Sequence, residues 1–203
     1  MMKKNIMLIF AILFLLIVLA ISVSEAADDP SKLLQQVAGK VTLGPIEFSP
    51  PQGFWYNPPP PSTKMSFAIT FYKTKKDIIL MQEDPSPARD PIVVVRINTN
   101  SFKDFDSYYK AESEMYRIKG LEGMHYFKKL PQDVQSLFAG MSTWSCRERV
   151  NKGYPELTAI DCLSLNHYSV LISTFCFDEK KVLDMAPILK SIMKSVKRGQ
   201  QKD

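Results

Sequence analysis

The sequence predicts an α+β fold, layered around a mainly antiparallel sheet. Three observations lead there. Strand-like runs come in groups, and each group is followed by one helical pattern. The links between neighbouring runs are mostly too short for the crossovers that parallel strands need. The chain has 203 residues, enough to bury one substantial core.

The first residues set the compartment. Lys3 and Lys4 precede sixteen uninterrupted apolar residues, Ile6 to Ile21, and Ser24-Glu25-Ala26 follows. This reads as a signal peptide over 1–26, with residues 6–21 as a membrane anchor if cleavage does not occur. In both cases the rest of the chain is expected to be exported, to a periplasm or the extracellular space. The formal net charge is +5, and part of it lies in KSVKRGQQKD. Residues 198–203 are expected to form a flexible basic tail. Nucleic acid is a poor fit to an exported chain with no dense basic patch.

Residues 27–40 form an N-terminal segment in which DPSKLLQQVAGK has a short helical pattern closed by Gly39. From 41 to 197 a single domain is expected. KVTLGPIEF gives two short strands around the Gly44-Pro45 break. SPPQGFWYNPPPPSTK carries six prolines in sixteen residues and reads as an extended surface connection. MSFAITFYK, DIILMQ and PIVVVRIN follow as strands. A first principal helix spans about 101–119. Ser101-x-x-Asp104 resembles a capping box, Phe105, Tyr108, Ala111, Met115 and Ile118 form the inward stripe, and Gly120 closes it. MHYFKKL is a strand, Pro131 to Ser136 a connection, and FAGMSTWSCRERV, ELTAIDCLSL and YSVLISTFCF are three more strands. The second principal helix, about 184–197, tolerates Pro187 in its first turn and points Ile188, Leu189, Ile192, Met193 and Val196 inward.

The aromatic strand in SPPQGFWYN, the first helix SFKDFDSYYKAESEMYRI, the meander ending in YSVLISTFCF and the closing helix APILKSIMKSV together resemble the PsbP-like superfamily. The bacterial envelope proteins of DcrB type belong to the same group. The similarity covers about residues 41 to 197 and lies in element order, with no site motif to carry over. It implies an α/β/α sandwich and an accessory or binding role without catalysis.

The three cysteines lie in one stretch, 146 to 176. Opposed residues on antiparallel strands have position numbers with a constant total. A turn centred on Tyr154 sets that total to 308, so that Lys152 faces Glu156, Arg147 faces Asp161 and Cys146 faces Cys162. Opposed Cα atoms lie about 4.5 to 5.5 Å apart, within disulfide reach. A Cys146–Cys162 bridge is therefore expected. A second turn centred on Asn166-His167 makes Cys162 face Leu171 and Cys176 face Leu157, roughly 17 Å along the strand. Cys176 is then a free thiol, expected to be buried.

Chemistry-bearing patterns are sparse. His125 and His167 have no ligand-spaced His, Cys, Asp or Glu, which speaks against a metal site. The chain has no G-x-S-x-G, P-loop, G-x-G-x-x-G or C-x-x-C. No cofactor is expected. The expected function is that of an exported, non-catalytic accessory or binding protein of the bacterial envelope. Its partner would be another envelope protein or envelope component, met through Phe54, Trp55 and Tyr56. Membrane contact would run only through an uncleaved leader. Two alternatives stand beside it: an envelope hydrolase built from scattered residues, and a thiol redox protein using Cys176.

Overall fold

The computed structural model describes residues 35–36, 39–56, 68–74, 77, 90–98, 102–120, 123–152, 156–165 and 169–199. The chain divides into two units, Met1–Leu33 and Leu34–Asp203, and all described residues belong to the second. The leader, most of the DIILMQ run, Tyr154, His167 and residues 200–203 lie outside them.

Among the described residues, an eight-stranded antiparallel sheet organises the fold. In chain order its strands are β1 (Gln35–Gln36), β4 (Trp55–Tyr56), β5 (Ala68–Tyr72), β6 (Ile92–Ile97), β7 (His125–Lys128), β8 (Trp144–Asn151), β9 (Leu157–Ser164) and β10 (Val170–Cys176). They lie side by side as β1-β4-β5-β6-β10-β9-β8-β7. A second, three-stranded sheet joins β2 (Val41–Leu43), β3 (Ile46–Phe48) and β11 (Lys197–Arg198). The β2–β3 link turns at Gly44, whose φ of +51° suits a residue without a Cβ. Strand β9 is buried at every position after Leu157, as a strand covered on both faces should be.

Two expectations are corrected near the termini. Gln35–Gln36 pairs with Trp55–Tyr56 as strand, where a helix was expected over 29–40. Lys197 and Arg198 pair with Glu47 and Ile46, and the Gly199 N–H donates to the Pro45 carbonyl at 2.8 Å. Residues 198 and 199 are therefore held by the second sheet, where a flexible tail was expected from 198.

The β8–β9 pairing has the expected register: Cys146 opposes Cys162 at a Cα separation of 4.1 Å, and the two are bridged. The β9–β10 pairing is one residue away from expectation. Cys162 opposes Ile172, and Cys176 opposes Thr158. Burial explains the difference, because a one-residue slip reverses every side chain of a strand. In the observed register Val170, Ile172 and Cys176 join Ile160 and Cys162 in the main core. The expected register would have turned them to the opposite face. Cys176 still lies four residues from Cys162 along the pairing, about 13 Å at the rise of a strand.

Helices cover both faces, which gives the α/β/α arrangement. On one face lies α1 (Phe105–Ile118), packing Phe105 and Tyr108 on Leu163 and Leu171. It begins later than the expected 101. Asp104 is the cap: its carboxylate accepts from the Ser107 N–H at 2.7 Å, and the Ser107 hydroxyl accepts from the Asp104 N–H at 3.4 Å. Its inward stripe is also rotated from the expected one. Met115 is 39 % exposed and Ile118 72 % exposed, while Glu112 and Tyr116 turn toward the sheet. Polar ends with partners beneath the helix decide this, which an apolar periodicity does not register.

On the other face lie α2 (Gln132–Leu137), α3 (Glu179–Leu183), α4 (Ala186–Ser195) and the small sheet. Helix α2 replaces an expected connection; Val134 is its one buried residue. The expected 184–197 helix is α4, and the short α3 is an additional helix before it. Asp178 caps α3, accepting from the Lys181 N–H at 3.1 Å, and Pro187 sits in the first turn of α4. Leu189, Ile192 and Met193 are buried as expected, and Val196 is extended and already outside the helix.

The bridge joins residues 16 apart in sequence. Replacing both Cys146 and Cys162 by Ser should lower unfolding free energy by about 3 kcal/mol in the chain-entropy account. Denaturant melts of the two proteins, without reductant, would read the difference directly.

Candidate functional site

Beneath α1 the sheet carries a polar cluster in an otherwise apolar layer. Asp161 is fully buried in the middle of β9. A lone carboxylate there would be costly, and a guanidinium meets it. The backbone register sets Arg147 opposite Asp161, as the sequence suggests, but the partner is Arg149, two residues on. Arg149 Nε donates to Asp161 Oδ2 at 2.6 Å and Nη2 to Oδ1 at 3.5 Å; Nη1 donates to Asn151 Oδ1 at 2.9 Å. Burial works against the charge of Arg149, and Asp161 outweighs it, holding the guanidinium above its ordinary range. Arg147 turns elsewhere, to the Cys146 carbonyl at 3.1 Å and over the Phe105 ring.

A second ion pair ties the helix to β6. Arg96 Nη2 donates to Glu112 Oε1 at 2.9 Å and to the Tyr108 hydroxyl at 3.3 Å. Burial pushes the Tyr108 phenol up, with the charges of Asp161 and Glu112 adding to it. At the β7 end, His125 is 6 % exposed, and the Tyr116 ring lies over it with centroids 3.9 Å apart. Burial, helped by Arg149, pushes its imidazole below the ordinary range. These groups converge, but on each other. The arrangement holds a helix to a sheet and leaves Asp161 no access to solvent.

The opposite face holds the cysteines. Cys176 is fully buried; its thiol donates to the Asp178 carbonyl at 3.2 Å and accepts from the Asp178 N–H at 3.4 Å. Burial pushes the thiol up, away from the thiolate that exchange chemistry needs. Nearby, Glu148 is 1 % exposed and pairs with Lys128 at 2.8 Å, and Lys128 also reaches Glu179 at 3.4 Å. Burial pushes the Glu148 carboxyl up.

The aromatic triplet is divided. Phe54 is buried in the main core. Tyr56 packs on Phe71 with centroids 5.7 Å apart, and Trp55, half-buried, opposes Tyr72 on the other side of the sheet. The three rings do not form one outward surface. Sequence reasoning missed a different feature: an open groove of about 440 Å³ beside α2, lined by Leu130, Gln135, Phe138, Trp144, Cys146 and Arg147 among others. Among the described residues β7 pairs only with Glu148–Asn151, so Trp144–Arg147 of β8 have no strand beside them on the β7 side, and α2 lies in the chain between the two strands. Reading α2 as a plain connection hid the groove.

Among the described residues no helix is long and apolar enough to cross a membrane, and no three His, Cys, Asp or Glu side chains gather as metal ligands. The chain matches no protein-family model and no curated protein.

Two outcomes follow for the cluster and the thiol. Arg149→Met should cost about 3 to 5 kcal/mol, because it leaves the Asp161 charge buried and alone. Adding Asp161→Leu should recover most of that, as read in denaturant melts. Cys176 in the native protein should react with iodoacetamide far more slowly than after unfolding, which mass spectrometry would time.

Proposed function

We propose that this chain is an exported, non-catalytic accessory protein of the bacterial envelope, which binds another envelope protein in the groove beside α2. The observation that carries the reading is the composition of that groove: Leu130, Phe138 and Trp144 supply apolar area, Gln132, Gln135 and Ser136 supply neutral hydrogen-bonding groups, and Arg147 supplies one charge. Apolar surface with a few polar groups and an aromatic anchor is the chemistry of recognition. Catalysis would call for paired acid and base groups with access to a substrate.

Two further features support the compartment. The leader-like residues 1–26 and the bridged Cys146–Cys162 pair both suit export to an oxidising space. The PsbP-like resemblance points to the same accessory role. Trp55 remains a second contact in this proposal, since it is the half-buried aromatic that leaves the main core on the side away from Phe71.

A photoreactive phenylalanine derivative at position 135, in the exported full-length protein, should yield an adduct of one defined mass. The same probe at Asp106, an exposed residue in the first turn of α1, should not. Equal labelling from both positions, or no adduct from position 135, would overturn the proposal. The same probe at position 55 reads the Trp55 contact separately.

A further inference from the structure

His125 stands apart from the network that surrounds it. Its Nδ1 and Nε2 are both buried, and neither has a hydrogen-bond partner among the described residues. Tyr116 covers one face of the ring, and Tyr109 and Phe127 meet it edge-on with centroids 6.0 Å away. The charged and titratable groups that act on it come from three elements: Tyr109, Glu112 and Tyr116 on α1, Arg149 on β8, and Asp161 on β9. Both carboxylates are already committed, Asp161 to Arg149 and Glu112 to Arg96. A proton on His125 would put a second cation beside Arg149 with no free anion among the described residues to receive it.

The position in the fold makes the consequence local. Among the described residues, strand β7 ends the sheet and pairs only with β8. Helix α1 rests on a small cluster, Phe105, Tyr108, Leu163 and Leu171 with Phe102, Phe127 and Leu165, separate from the main core on the opposite face. Release of α1 and β7 would leave that core and the Cys146–Cys162 bridge intact. Edge elements with small cores are the ones that open below the global unfolding free energy.

We propose that protonation of His125 detaches α1 and β7 from the sheet in a reversible local opening, so that this end of the protein responds to mild acid. The opening would expose the Phe105, Tyr108 and Phe127 rings. The direction is fixed by the imidazole. Its folded-state affinity for protons lies below that of the free group, whose ordinary value is 6.5, so its contribution is complete above that pH and falls away below it. Glu148, on the other face of the neighbouring strand, acts with the opposite sign. Its carboxyl is raised above 4.5, so its protonation favours the folded state as pH falls. With His125 removed, acid should therefore no longer loosen this end.

The test is hydrogen exchange with mass spectrometry on the oxidised protein at about pH 7.5 and about pH 5.5, on either side of histidine titration, with rates corrected for intrinsic exchange. Peptides covering 105–118 and 125–128 should lose protection by about tenfold or more at the lower pH, while β9 and β10 keep theirs. His125→Phe, which keeps an aromatic ring against Tyr116, and His125→Leu should both abolish the change. Loss of protection in all elements together would overturn the proposal. So would the same acid response in both variants, or no response in the parent protein.

Discussion

The pairing of β8 with β9, held by the Cys146–Cys162 bridge, is the constraint on which the other features depend. Its register decides which side chains of two central strands meet which layer. Cys146, Glu148 and Val150 face the side of the main core, together with Ile160 and Cys162. Arg147, Arg149 and Asp161 face α1. A slip of one residue would put Asp161 into the main core and take Ile160 out of it. Two costs rise together in that case: apolar surface returns to water, and a carboxylate is buried away from its guanidinium.

The same pairing explains why α1 sits where it does. A helix resting on Leu163 and Leu171 alone would have a small apolar footprint. Arg96 adds a tie to Glu112 and the Tyr108 hydroxyl, and the Arg149–Asp161 pair supplies the polar floor beneath. A buried ion pair contributes little net stability, since desolvation offsets much of the Coulomb gain. What it does supply is selectivity of position. Tyr108, Glu112 and Tyr116 are brought inward, and Met115 and Ile118 are left outside. His125 is caught at the end of this arrangement with no hydrogen-bond partner of its own among the described residues.

Much of the fold could be read from residue patterns, and the exceptions have physical causes. The β8–β9 register followed from a turn centred on Tyr154, into which the Cys pair and Arg147 with Asp161 fall together, although the side chain that binds Asp161 is Arg149 reaching diagonally. Diagonal reach is a property of a long side chain, and residue spacing does not encode it. The β9–β10 register differed by one because a hairpin link without glycine or proline does not announce its centre, whereas the burial of both faces does. Helix α2 has six residues and one buried side chain, too little for a periodic signal, so the groove it frames was not visible. The Phe54–Tyr56 run alternates about a strand, and alternation divides its rings between the faces.

The order of the three cysteines across β8, β9 and β10 is open to peptide mapping of the unreduced protein. No Lys or Arg lies between Cys162 and Cys176, so trypsin leaves them in one peptide, and a second protease that cuts between them, for example after Tyr168, separates them. The account predicts a peptide pair joined through Cys146 and Cys162, with Cys176 recovered as a thiol. A bond from Cys176 to either of the others would contradict it.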